Sequence, residues 1–146
     1  MTVHSLRNSS FYAAPLRLAL GLAAVLSARL AGASAPGAWL AFATGAFAVV
    51  FLLFNDPRAR FRRQAEPQPL PADATVATPV RQALRALIPS TAGVSVLAAI
   101  ALAFQPVLSA FLGGIAVGLG VSGVVLAFTT DPSLFFEPHR GTVYRR

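Results

Sequence analysis

Cysteine and lysine are both missing from these 146 residues, and charge of either sign is scarce. Without cysteine there can be no disulfide, no thiolate metal site and no dithiol redox chemistry. The basic residues are therefore all arginine, 12 of them against five acids, for a formal charge of +7. Only 12% of the chain is charged, about half of what soluble domains carry, which argues against a water-soluble globule. Histidine and methionine are nearly absent too: His4 and His139 lie in the tails and Met1 is the sole methionine. No pair of His or Glu has ligand spacing, so metal and haem sites are not expected. No glycine-rich loop leads from a strand into a helix, so a phosphate cradle for a nucleotide is not expected either. Neither histidine stands near a membrane-held serine, so no activated nucleophile is in view. The expectation is a protein without a cofactor that is not an enzyme.

What is present is hydrophobic sequence, 55% of the chain, and it comes in long runs. No Asp, Glu, Lys or Arg occurs from Leu30 to Asn55 or from Ala86 to Thr130, runs of 26 and 45 residues. About 20 residues span a bilayer as a helix. The longer run would measure about 68 Å as one helix, so it must fold back, and Gln105-Pro106 is the polar, helix-breaking point near its middle. The fold class expected is an all-α integral membrane protein with four transmembrane helices arranged as two parallel hairpin repeats.

The division along the chain follows. Residues 1–12 read as a tail, 13–55 as a first transmembrane hairpin, 56–79 as an Arg- and Pro-rich linker, 80–130 as an interfacial helix plus a second hairpin, and 131–146 as a second tail. The first span, about Ala13 to Ala33, carries Arg17 and Arg29, each close enough to an interface to snorkel outward. A secretory signal with Leu18–Leu26 as its apolar core competes for this segment; Arg29 and Pro36 flanking the cleavage point speak against it. A turn at Ser34–Gly37 leads into the second span, about Pro36 to Asn55, and Asp56-Pro57 stops it. Val80, Ala83, Leu84, Leu87 and Ile88 share one side of an amphipathic helix that suits the interface, and the third and fourth spans are about Ala86–Phe104 and Val107–Thr129.

With four spans, Arg7, the arginines from Arg58 to Arg85, and Arg140, Arg145 and Arg146 all fall on one side, leaving Arg29 near the other. The positive-inside rule then places both termini and the linker in the cytoplasm. Arginine without lysine, beside abundant Ala, Gly and Pro, fits a GC-rich bacterial genome, hence a bacterial plasma membrane. Nucleic acid is not an expected partner, because the densest cluster, Arg58, Arg60, Arg62 and Arg63, directly follows a span and suits anionic lipid headgroups instead.

Sliding the chain on itself by 75 residues aligns both hairpins without gaps: 13 of 46 positions from 16 to 61 are identical, among them Asp56-Pro57 with Asp131-Pro132. Two copies of a two-span unit would be parallel repeats about an axis normal to the membrane. Small residues then mark packing faces: Gly37, Ala41, Gly45 and Ala48 in the second span; Gly114, Gly118 and Ser122 on one side of the fourth and Gly113, Ala116, Gly120 and Gly123 on the other. Two such faces suit a helix at the bundle centre or at a protomer contact. Asp56 and Asp131 sit at helix C-termini, the unfavourable end of the dipole for a carboxylate, which suggests an interfacial charge clamp to Arg17, Arg81 or Arg85.

No acid lies inside a span, so proton-coupled transport is disfavoured. The functional expectation is a non-catalytic accessory or scaffold subunit that packs within the bilayer, contacts anionic lipid or a partner through arginine, and associates with a larger membrane protein or with itself. The alternative is a small oligomeric channel or facilitator in which Thr44, Ser95, Ser109 and Ser122 line a path. A pore requires those hydroxyls to converge on a wet cavity; a scaffold requires them to be sequestered.

Overall fold

A computed structural model of the chain describes residues 2–56, 66–88, 90–137 and 142–146. In chain order the elements are β1 (Thr2–Ser5), α1 (Leu6–Leu30), α2 (Ala35–Asn55), β2 (Gln68–Pro69), β3 (Thr75–Val76), α3 (Pro79–Leu87), α4 (Ser90–Phe104), α5 (Pro106–Thr129), β4 (Leu134–Glu137) and β5 (Thr142–Arg145). The chain is mostly helical. α1, α2 and α5 are each long and apolar enough to cross a membrane, and α3 with α4, bent by 48° at their break, make a fourth candidate span.

Local chemistry explains the helix ends. Ser5 caps α1 by accepting from the Asn8 amide at 3.2 Å, and Ser34 caps α2 through Gly37 at 3.3 Å, each satisfying one of the orphan donors of a first turn. α1 therefore begins seven residues before the expected Ala13, and Leu6–Tyr12 is helix rather than tail. It ends where the Arg29 guanidinium donates to the Ala33 carbonyl, a cation at the negative end of the dipole. Gly32, at φ 99°, turns the chain into α2 in a conformation that only glycine adopts at little cost. Pro36 and Pro106 both lie in first turns, where a missing amide costs nothing.

α5 is the central helix. It packs on α1, α2 and α4, while α1 and α2 touch little. At the end of the bundle away from the strands, Val25, Ala28, Ala33, Ala38 and Ala110 form a buried cluster with Phe42 and Leu102 against it. The packing is not that of two equivalent hairpins. A twofold would pair α2 with α4 as it pairs α1 with α5, yet α2 and α4 share no comparable interface. α1 has Arg17, which bonds the end of α3; its sequence counterpart α4 is shorter and wholly uncharged.

The strands were not expected from the sequence. They form one five-stranded sheet in the order β2-β5-β4-β1-β3. β1 runs antiparallel to β4 with His4 opposite Phe136, β4 antiparallel to β5 with Phe135 opposite Tyr144, and the linker strands β2 and β3 add in parallel to β5 and β1. Val3, Phe135 and Tyr144 make its small core, with Leu70 and Ala74 packed on it. Both edges are two-residue strands, one holding Pro69, and short or proline-bearing edges resist pairing with other chains. Because the sheet draws on the segment before α1, the α2–α3 linker and the segment after α5, all three lie at one end of the helices. Two parts of the linker join the sheet, Gln68–Pro69 beside β5 and Thr75–Val76 beside β1.

Candidate functional site

The two faces of α5 take up the small residues. Towards α2, a methyl on Gly118 would stand 2.7 Å from the Ala46 carbonyl oxygen, and one on Gly114 would collide with the Phe42 carbonyl. Gly45 answers from α2, where a methyl would strike the Phe111 carbonyl of α5. Towards α1, a methyl on Gly113 would be 2.7 Å from the Gly21 carbonyl oxygen, one on Gly123 2.9 Å from that of Ser10, and one on Gly120 3.1 Å from the Leu18 side chain. Ala116 is buried as well. Backbone approach this close needs glycine. Ala41 is half-buried and lines a shallow recess of about 390 Å³ with Phe111 and the Phe104–Leu108 turn. Gly37 belongs to the Ser34 cap and meets no other helix. Gly21, on α1, escaped the sequence reading; its spacing from Arg17 and Val25 by four residues was the available signal.

The hydroxyl residues are turned onto their own helices or closed in. Thr44 donates to the Leu40 carbonyl at 2.8 Å and Ser95 to that of Thr91 at 2.8 Å. Ser109 and Ser122 are buried, and Ser122 Oγ has no hydrogen-bond partner among the described residues. The phenylalanine side chains on the other side of α2 face outward, with Phe47 stacked on Phe51 at 6.3 Å.

At the sheet end Arg17 and Asp131 do not meet each other. Arg17, 9% exposed, donates from Nε to Thr91 Oγ1 at 2.8 Å and from a terminal nitrogen to the Ala86 carbonyl. That carbonyl lies in the last turn of α3, where helical acceptors lack an internal donor. Arg17 thus joins α1 to the end of α3 and the start of α4, through neutral groups rather than a carboxylate. Arg81 and Arg85 stand one turn apart on the outer side of α3 and line a recess with His4 of β1. Asp131 pairs instead with Arg145, at 3.8 Å, both side chains well exposed. Asp56 follows the last turn of α2 in extended conformation. Arg58, Arg60, Arg62 and Arg63 lie outside the described residues, as do Pro57, Pro89 and His139.

The Asp131 carboxylate accepts from the Ser133 amide at 2.9 Å and from its hydroxyl at 2.7 Å. These bonds, with a smaller push from Arg145, hold it below the ordinary carboxyl value of 3.8. A carboxyl depressed on folding adds stability above its unfolded value and loses it as the pH falls through the folded one. Protection of the Leu134–Glu137 amides against exchange should therefore decline in acid below pH 3.8, and Asp131→Asn should remove that decline. Asp131→Arg should loosen the β4–β5 hairpin and leave the unfolding of the helices unchanged, because the salt bridge is confined to the sheet segment.

The chain matches no protein-family model, no curated protein and no solved structure. Its function has to be read from its own geometry.

Proposed function

We propose that this protein is a small, non-catalytic polytopic protein of a bacterial plasma membrane, an accessory or scaffold subunit. In this reading α1, α2, the α3–α4 pair and α5 make four crossings, with both termini and the linker on the cytoplasmic side as the positive-inside rule directs. The sequence repeat would then be a duplicated origin whose two halves have since packed differently. One observation carries the proposal: the hydroxyls available to line a path are spent on helical carbonyls or buried, and none of them lines the recess at Ala41 or the one at His4. The same bundle keeps its small residues for internal contact and turns the stacked Phe47 and Phe51 outward, where they meet lipid or the apolar surface of a larger membrane protein.

The test is purification of the tagged protein at near-native levels in a mild detergent, with its mass and its companions determined together. A stoichiometric larger membrane protein is the expected result. A homo-oligomer that comes down alone, with solute flux lost on Thr44→Val or Ser122→Ala, would favour the channel instead.

A further inference from the structure

The outer side of α3 is divided lengthwise. Gln82 is buried and donates to the Ala77 carbonyl at 2.6 Å, fixing the rotation of the helix. That rotation exposes Val80, Leu84 and Ile88 along one flank, and Arg81 with Arg85 along the next, so that apolar and guanidinium groups run side by side. Beneath the arginines lies His4, 7% exposed, held in the sheet by its pairing opposite Phe136. His4, Arg81, Leu84, Arg85 and Ile88 together line a recess of about 620 Å³ that opens to the outside.

Two cations one turn apart on a helix repel each other, and here a third potential cation faces them. No carboxylate among the described residues lines the recess. The structure thus gathers positive charge at a concave site where α3 meets the sheet. Burial first, then the charges of Arg85 and Arg81, hold the His4 imidazole below its ordinary value of 6.5, as a site awaiting negative charge would. β3 brings only Thr75 and Val76 to β1, β4 brings Phe136 opposite His4, and Glu137 of β4 accepts from the Tyr144 hydroxyl at 3.0 Å. Arg7 of α1 is exposed.

We propose that His4, Arg81 and Arg85 bind the phosphate of an anionic membrane lipid, with Leu84 and Ile88 against the beginning of its acyl chains. A soluble phosphate would use the cationic half alone; the apolar flank is what the boundary between headgroup and hydrocarbon requires. The site rests on the chain being embedded in a membrane, and alkaline carbonate extraction tests that separately from any binding result.

A bound phosphate opposes the two arginine charges and favours the protonated imidazole, so His4 holds its proton more tightly in the complex than in the free protein. Binding must then strengthen as the pH falls. Lipid retention on the purified protein in a zwitterionic detergent, read by native mass spectrometry with phosphatidylglycerol and phosphatidylcholine at pH 6 and 8, measures this. One phosphatidylglycerol should be retained in preference to phosphatidylcholine, more at pH 6 than at pH 8. Arg81→Gln and Arg85→Gln should each weaken retention about fivefold, His4→Gln should flatten the pH dependence, and Arg7→Gln should change neither. Both arginines are exposed, so those variants keep the fold, which helical circular dichroism verifies. Equal retention of the two lipids, full retention by the double arginine variant, or displacement by inorganic phosphate at the same concentration as lipid would each overturn the proposal. The last result would assign the recess to a soluble anion.

Discussion

Gly114→Val should cost stability at the upper end of about 1–3 kcal/mol, the range for overpacking a close-packed interior. The first carbon of any side chain there meets the Phe42 carbonyl of α2. A flexible side chain could turn aside, but a backbone oxygen within a helix cannot, so the two helices must separate along their length. Separation also withdraws Gly118 from Ala46 and Gly45 from Phe111, which lie in the same interface. Reversible unfolding in mixed micelles with rising sodium dodecyl sulfate reads the loss. Gly93→Ala is the companion: a methyl there meets open space, and replacing a helical glycine by alanine gains roughly 0.5–1 kcal/mol. A Gly114→Val protein as stable as the parent would refute the α2–α5 approach described above.

Arg17→Leu should be nearly as damaging, and for a different reason. It leaves the buried Thr91 hydroxyl without its donor and the Ala86 carbonyl with only the Ser90 hydroxyl, at 3.4 Å, at about 1–3 kcal/mol for a buried group left unsatisfied. Lysine should not rescue it, because a single ammonium on a flexible stem cannot reproduce the two directions of the guanidinium fork. Thr91→Val, which removes one acceptor and keeps the shape, should cost less than Arg17→Leu. Hydrogen exchange should locate the damage in α3 and the first turn of α4, leaving the α2–α5 contact protected. Equal loosening of both regions would mean that Arg17 does not act through the break between α3 and α4.

Much of the helical architecture was legible because it rests on signals that a single sequence carries. Uncharged length gave α2 and α5 nearly to the residue, and Ser34, Pro36, Gln105 and Pro106 marked their ends. The glycines of α5 sorted into two faces by spacing alone. The choice of partner for each face was not legible: periodicity says which residues share a side, and does not say which helix lies across from them. The expected symmetry failed on that point, since α5 took α1 as a major partner while α2 and α4 stayed apart. For Arg17 and Asp131, sign of charge alone did not indicate the partner. Arg17 found neutral acceptors at a helix break, and Asp131 found Ser133 and Arg145 close by in the chain. The sheet escaped because its strands are two to four residues long and draw on three distant segments. Thr-Val-Tyr-Arg after Leu-Phe-Phe-Glu, with Pro138 and Gly141 between, carried a hairpin signal. Phe135 belongs to the sheet's core.

The strand order has a consequence for biogenesis. β4 and β5 are the last two strands to leave the ribosome, yet they occupy the middle of the sheet, with β1 and β3 on one side and β2 on the other. Until they arrive, β2 has no neighbour to pair with, and β1 and β3 hold only each other. Loop closures over so long a stretch of chain form late and slowly. The sheet therefore assembles only after α5 has been made and its C-terminal end has come to lie beside the N-terminal end of α1. Completion of the sheet marks a chain whose helices, α1 to α5, are all in place, and a partly made chain would present β1, β2 and β3 without their central partners.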